Sequence, residues 1–432
     1  MTNFFPLNEL PVELLSLIFK FLPVLERIRF CRVSTQWSEL ILSGVTGIRF
    51  HFGDPFCPYG RLQMKKYPSW TQISRLLTVE RLDYDDARGR PYGEERKIEK
   101  EREKERKITI VQHLVRKLGT NLRKFVYNDH QTHSLNEKIW TSLVDHCPNI
   151  ICLKITQCSF KIGYVRSLLQ TYGHQLEELE LAAGLRNLCT EKVELVVEYV
   201  NPDRLRKLHL AVESSENLEM LCDRFPNLFF LFLSQNIMPF KGEMTSLAKL
   251  KRLHTLIFEY FHLLNLRWAP VQDWRHSLVE LHIRNHKFGN LKSNLFFIKE
   301  MILLRRLTIR TESQDELDFV CQNVSPELEY FNVTMIGMSG IQVFTRFPDI
   351  CRLEKLQSLT ITGMNDDKLF NSLRLLDQNL LPSVRKLTLN QLSYGQESPQ
   401  MLEFISKMNS VFPNLKHFGR CKKKGHPTLH FW

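Results

Sequence analysis

Hydrophobic residues along most of the chain fall into a recurring six-residue pattern, apolar-x-x-apolar-x-apolar. It reads Ile150 to Ile155 (IICLKI), Leu176 to Leu181 (LEELEL), Leu205 to Leu210 (LRKLHL) and Leu228 to Leu233 (LFFLFL), and returns at Leu253, Leu278, Leu304, Leu328, Leu356 and Val384. Weaker copies begin at Val45, Val79, Leu122 and Leu415. From Leu122 to Leu415 the mean step is about 27 residues. Each copy alternates apolar and polar over its last three residues, which predicts a short strand. Most are followed by helical spacing, as with Ile139, Leu143 and Val144 or Leu218, Leu221 and Cys222. Pro148, Pro226, Pro382 and Pro413 each stand two residues ahead of the next copy, where a helix must have ended. Repeated strand and helix predict an α/β fold: a curved parallel sheet inside an arc, helices outside, and about 14 units sharing one core because none can bury its apolar face alone.

Two stretches depart from the repeat. Between Asp85 and Lys107 the text is DDARGRPYGEERKIEKEREKERK, and 13 of the 14 residues from Glu94 to Lys107 are charged. Alternating signs at helical spacing predict a solvated helix extending beyond the array, with a loop at Arg90-Pro91 and Gly93 before it. The second departure is residues 1–44, whose spacing is purely helical. Pro11 suits a first helical turn and Pro23 a stop, so Val12 to Leu22 is predicted as one short helix. Its polar residues Glu13, Ser16 and Lys20 form a single stripe, while Leu14, Leu15, Leu17, Ile18, Phe19, Phe21 and Leu22 fill the rest. Two further helices are predicted, around Ile28, Cys31 and Val33 and around Trp37, Leu40 and Ile41. They can cover one side of the first helix only, so its other apolar side predicts a permanent partner, or a cap on the open end of the array.

The segment resembles an F-box, through Leu10-Pro11, Glu13-Leu14, Ile18-Phe19, Leu22, Glu26, Val33 and Trp37 with Leu40; it departs at Arg32 and at Ser34, where Cys is common. The remainder, residues 45–432 with the charged insertion at about 85–107, resembles an irregular leucine-rich-repeat array; the Asn or Cys usual three residues after the strand stands only at Cys158 and Asn236. An F-box ahead of such repeats implies the substrate receptor of a Skp-cullin-F-box ubiquitin ligase. Its partners would be a Skp-type adaptor and, through it, cullin and RING subunits. The resemblance places the adaptor contact on Leu10, Pro11, Leu14, Ile18, Leu22 and Trp37. It also implies a non-catalytic chain.

Strand parity locates a second surface. If repeat positions four and six point into the core, positions three, five and seven face the concave sheet. There Phe230, Phe232 and Ile257 would form an apolar floor, and Arg284, Arg306 and Arg310 would converge on one anionic group, with Tyr330 beside them. The expected substrate is therefore a protein segment that is acidic or phosphorylated. Two alternatives stay open: Glu280 neutralises Arg306, or another element folds over Phe230 and Phe232.

Composition adds little chemistry. Fifty-nine basic against 47 acidic residues leave a net charge of +12, enough to attract nucleic acid, an anionic membrane or an acidic protein, and charge alone does not choose among them. A nucleic-acid track would interleave basic and aromatic residues, and Glu178 with Glu180 interrupts one, so nucleic acid is not the expected partner. A leucine-rich-repeat scaffold outside any ligase, or a nucleic-acid-associated protein, is the alternative reading. Ten cysteines without pairwise spacing, no long apolar run and no basic leader predict a soluble chain of the cytoplasm or nucleus, with no membrane partner. No phosphate loop, HExxH or GxSxG occurs, so no cofactor is expected. Cys147, Cys152 and Cys158 read as buried residues. Cys421, His426 and His430 lack a fourth ligand, so no metal site is expected and the tail reads as a frayed basic terminus.

Overall fold

The computed structural model describes residues 10–21, 30, 34–43, 46–52, 94–129, 136–156, 161–182, 189–234, 240, 243–259, 277–284, 296–311, 313–335, 350, 352–362, 381–390, 406–421 and 430–431. Leu22, the helix expected around Ile28, Cys31 and Val33, the copy at Val79, the loop at Arg90-Pro91, Cys158, Asn236 and His426 lie outside them. The chain forms two compact units, Met1–Leu205 and Arg206–Trp432.

In the first unit the elements are α1 (Val12–Phe21), α2 (Thr35–Ser43), β1 (Gly47–Phe52), α3 (Glu94–Leu118), β2 (Lys124–Asp129), α4 (Glu137–His146), β3 (Cys152–Thr156), α5 (Ile162–Tyr172), β4 (Glu178–Ala182) and α6 (Cys189–Tyr199). The four strands are parallel and unstaggered, with Gly47, Lys124, Cys152 and Glu178 in register. The second unit holds β5 (Lys207–Ala211), α7 (Ser215–Arg224), β6 (Phe230–Ser234), β7 (Thr255–Glu259), β8 (Glu280–Arg284), β9 (Arg306–Thr311), α8 (Gln314–Asn323), β10 (Tyr330–Met335), β11 (Ser358–Thr362), β12 (Lys386–Asn390), β13 (His417–Cys421) and β14 (His430–Phe431). Its strands are likewise parallel, except that β14 returns antiparallel to β13, pairing Phe431 with Phe418 and His430 with Gly419. Residues 430–431, expected to lie in a frayed terminus, are therefore paired to a strand.

Each parallel strand starts at position three of a repeat, and the register follows from one recurring clamp. The position-two carbonyl of one repeat accepts from two successive amides of the next, as Arg206 does from Phe229 and Phe230, and Phe229 from His254 and Thr255. Positions one, four and six then stack without offset. Leu228, Leu231 and Leu233, or Leu356, Leu359 and Ile361, are all buried, as the alternating pattern requires. Between strands, α4 and α7 begin at caps in which Asn136 accepts from the Lys138 amide and Ser214 from the Asn217 amide. Among the described connections of the second unit, Thr245–Lys249 and Phe296–Glu300 are 3-10 turns.

The charged stretch proves to be half of a longer element. α3 spans 25 residues, and its second half buries Ile108, Val111, Val115 and Leu118 at helical spacing. In its first half Glu101, Arg102 and Glu105 are exposed. Charge runs end where repeat packing begins.

Candidate interaction sites

The N-terminal site rests on a small aromatic core. Pro11 O accepts from the amides of Leu14 and Leu15 and so starts α1. Leu15 and Phe19 on α1 meet Trp37 and Ile41 on α2, with Leu10, Phe30 and Leu40 packed against them. The Phe19 and Trp37 rings meet edge to face at 5.2 Å, and Phe30 lies 5.6 Å from Trp37. Ser34, where the sequence departs from the commoner Cys, caps α2: its hydroxyl accepts from the Trp37 amide at 3.1 Å.

That core uses only one face of α1. Leu14, Leu17, Ile18 and Phe21 are exposed by 47, 50, 38 and 81%, and Val12 is exposed beside them. At helical spacing Leu14, Leu17, Ile18 and Phe21 form one continuous apolar stripe, between the core face and the polar stripe of Glu13 and Ser16. The structure thus sorts the expected adaptor residues. Pro11, Leu14 and Ile18 are exposed, Leu10 is half-buried, and Leu22 lies outside the described residues. Trp37 is 4% exposed, so it is no surface contact but the residue that holds α1 on α2. Leu17 and Phe21 belong to the same stripe, although each, taken alone, passes for core in the sequence; their i+3 and i+7 spacing from Leu14 is the signal that finds them.

On the second unit, strand parity holds and the surface splits into rows. Row three runs Lys207, Phe230, Thr255, Glu280, Arg306, Tyr330 and Ser358 across successive strands; row five runs His209, Phe232, Ile257, His282, Thr308, Asn332 and Thr360. Phe230, Phe232 and Tyr330 are half-buried on this face. The His209 ring stacks on Phe232 with centroids 3.6 Å apart, and His282 Nδ1 lies 2.8 Å from Thr308 Oγ1. Ile257 is 7% exposed, walled in by its row neighbours, so it supports the floor without forming much of its surface. The expected convergence of three arginines fails. Arg306 and Arg310 stand four residues apart on one strand, about 13 Å at the backbone. Arg306 is also already bound, its Nη1 lying 3.1 Å from Glu280 Oε1. Arg284 has Glu259 as its register partner, and its side chain lies outside what the structure describes.

The equivalent face of the first unit is closed by its own charges. Lys154 Nζ lies 3.2 Å from Glu178 and 3.7 Å from Glu180. Burial works to lower the Lys154 pKa, but Glu180 and Glu178 outweigh it and hold the ammonium above its ordinary value. Cys152 Sγ donates to Glu178 at 3.3 Å, and burial, reinforced by that carboxylate, pushes the thiol up to about 12. It is no nucleophile at neutral pH. Among the described residues no group of His, Cys, Asp or Glu could hold a metal ion, and no helix is long and apolar enough to cross a membrane.

Residues 7–45 match the F-box domain model, so the chain carries an F-box domain at its N-terminal end. A comparison with curated proteins finds no match. Among solved structures, the leucine-rich repeat-containing protein LegL7 from Legionella pneumophila is similar with a TM-score of 0.36 and 10% identity, over 66% of this chain and 89% of that one. At that distance the likeness says nothing of function.

Proposed function

We propose that this chain is the substrate-recognition subunit of a Skp-cullin-F-box ubiquitin ligase. Its F-box docks on a Skp-type adaptor, which brings cullin and RING subunits, and its repeat strands hold a protein substrate. The chain contributes binding and orientation, and the transfer chemistry belongs to other subunits. The observation that carries the reading is the apolar stripe of α1, whose Leu14, Leu17, Ile18 and Phe21 remain exposed over a finished core. Burying each such side chain against a partner is worth roughly 1.5 to 3 kcal/mol, and a module this small leaves them exposed at a cost in solubility unless something covers them. The half-buried aromatic face of β6 with its His209 stack supports a substrate surface on the second unit.

Co-purification tests the adaptor half. Leu14→Asp or Ile18→Asp should abolish recovery of a Skp-type adaptor and cullin while circular dichroism stays unchanged, because neither residue is in the core. Undiminished recovery with both variants would place the chain outside the ligase and favour a free-standing repeat scaffold.

A further inference from the structure

The rim at which the strands of the second unit begin is polar along most of its length, and one stretch of it is not. Each strand is entered through a tight turn closed by the amide of repeat position one, as Leu253 donates to Leu250 O and Leu304 to Met301 O. Among the described turns the two central residues are polar or proline, as in Lys251-Arg252 and Pro326-Glu327, except before β9, where they are Ile302-Leu303. Position two changes in the same region. It is Glu329, Gln357 and Arg385 in later repeats but Phe229, His254 and Val279 ahead of β6, β7 and β8. The Phe229 and His254 rings stack with centroids 4.5 Å apart, and Phe229, Ile302 and Leu303 are each at least 40% exposed. An apolar band thus runs along the rim from β6 to β9, about 14 Å at the strand spacing.

Its charges are uneven. Arg206, at position two beside Phe229, and Lys251 and Arg252, in the turn before His254, are exposed, and none of them forms an ion pair among the described residues. At the other end Glu329 already holds Arg305 at 3.1 Å. The backbone along the band is fully used. The amides of Phe229, His254, Val279 and Arg305 donate to the preceding repeat, and their carbonyls accept from the next. An extended peptide laid there would find no backbone partner, whereas an α-helix satisfies its own backbone and offers only side chains.

We propose that this rim docks an amphipathic α-helix of a partner protein, its apolar face on Phe229, Val279, Ile302 and Leu303 and its carboxylates at one end, over Arg206, Lys251 and Arg252. The band and the cation on β5 together cover the length of about 13 helical residues. This interface is independent of the ligase reading, because it uses position two and the turns, whereas the substrate surface above uses positions three and five.

The test measures fluorescence anisotropy of a synthetic helix of about 14 residues against the full-length chain. The helix carries leucines at i, i+3, i+4 and i+7 with glutamates around the first of them. One control peptide has lysine for each glutamate; the other has its leucines at alternate positions, which favours an extended chain. The glutamate helix should bind about tenfold or more tighter than either control. Phe229→Glu and Leu303→Glu install the residue that another repeat carries at the same place, at Glu329 and Glu327, so circular dichroism should stay unchanged. Each should weaken the helix about tenfold or more, the least expected when one large apolar side chain loses its cover. Phe232→Ala, on the concave sheet, should not weaken it. No binding to the parent, equal binding of a control peptide, or binding lost in Phe232→Ala and kept in Phe229→Glu overturns the assignment. A dimer of the chain that Phe229→Glu dissociates in sedimentation also overturns it, since a second copy is then the occupant. So does a single-stranded oligonucleotide that binds the parent tighter than the helix does and is lost in Arg252→Gln.

Discussion

α1 and α4 are both ten-residue helices rich in large apolar side chains, and the chain treats them in opposite ways. On α4, Ile139, Trp140 and Leu143 are buried, because neighbouring repeats close over that face. On α1, Leu15 and Phe19 are buried and Val12, Leu14, Leu17, Ile18 and Phe21 are not. The difference lies in what stands next along the sequence. A repeat is followed by another that presents a complementary face in fixed register, whereas among the described residues the core on α1 is completed by α2, Leu10 and Phe30 and leaves the outer stripe of α1 uncovered. An apolar residue in a repeat is therefore a structural statement, and the same residue in α1 is a statement about a partner.

The sharpest way to break this contrast is a matched pair of truncations. Leu143→Ala should cost about 2 to 5 kcal/mol of unfolding free energy, seen as a lower urea midpoint. Leu17→Ala should change stability by no more than about 0.5 kcal/mol and register only as weaker adaptor binding. Equal destabilisation would mean that α1 is covered within the chain itself and would remove the case for a permanent partner.

Alkaline pH probes the closed side alone. Burial pushes Cys147 up to about 11, and Cys152 and Cys222 up to about 12, from an ordinary 9.0. Each folded-state pKa is raised, so the stabilisation is complete below pH 9, where both states hold the proton. It is lost as pH climbs toward 11 or 12, because the unfolded chain ionises first. Between pH 9 and 10 the repeats should lose roughly 1 kcal/mol per thiol. The same thiols should resist iodoacetamide at pH 8. Rapid labelling in the native state would show that the repeats open far more readily than their burial indicates.

How much of this contrast is legible in the sequence depends on what sets each feature. Strand positions are legible because the period of two is written into three consecutive residues per repeat, and parallel pairing without stagger carries it across each unit. The surplus apolar surface of α1 is legible because one polar stripe cannot serve two faces. Trp37 is misplaced on the surface by sequence reasoning because ring packing against Phe19 and Phe30 is a tertiary fact with no local signature. Arg306 is withdrawn from the expected arginine cluster only once register puts it directly opposite Glu280, and four residues from Arg310 along the same strand. Ile257 gives no sign of its burial, which arises from the side chains flanking it on neighbouring strands. The choice between α-helix and 3-10 turn after each strand is equally hidden, since both fit the same apolar spacing.

Space is a further point of contrast. A Cβ on Gly173, at the end of α5, would lie 2.4 Å from Tyr199 O and 2.5 Å from Leu169 O, both backbone atoms that cannot swing aside. The glycine is there for room, because its own φ of −53° suits any residue. Gly173→Ala should cost about 1 to 3 kcal/mol and displace the end of α6, two residues past which Asn201 donates its amide to Gly173 O at 3.0 Å. A stable variant would show that the α5 to α6 junction yields more easily than the strands do.

The smallest effect distinguishes a helix that holds up a core from one that holds up an interface. Asn136 caps α4 and Ser34 caps α2 through comparable side-chain to amide bonds, of 2.8 and 3.1 Å. Removing either cap should cost about 1 kcal/mol, but the consequence differs with the surroundings. In Asn136→Ala the loss is spread over a helix buried between neighbours and appears only as a shifted urea midpoint, with adaptor binding untouched. In Ser34→Ala the loosened turn is the one carrying Trp37, on which Phe19 and hence the whole of α1 rests. Ser34→Ala should therefore weaken adaptor binding by several-fold while barely moving the urea transition of the repeats. Ser34→Cys, which restores the residue commoner at this place, should fall between the two because a thiol accepts hydrogen bonds poorly. If Ser34→Ala binds adaptor as the parent does, α2 does not position the docking stripe, and the exposed residues of α1 act without support from the Trp37 core.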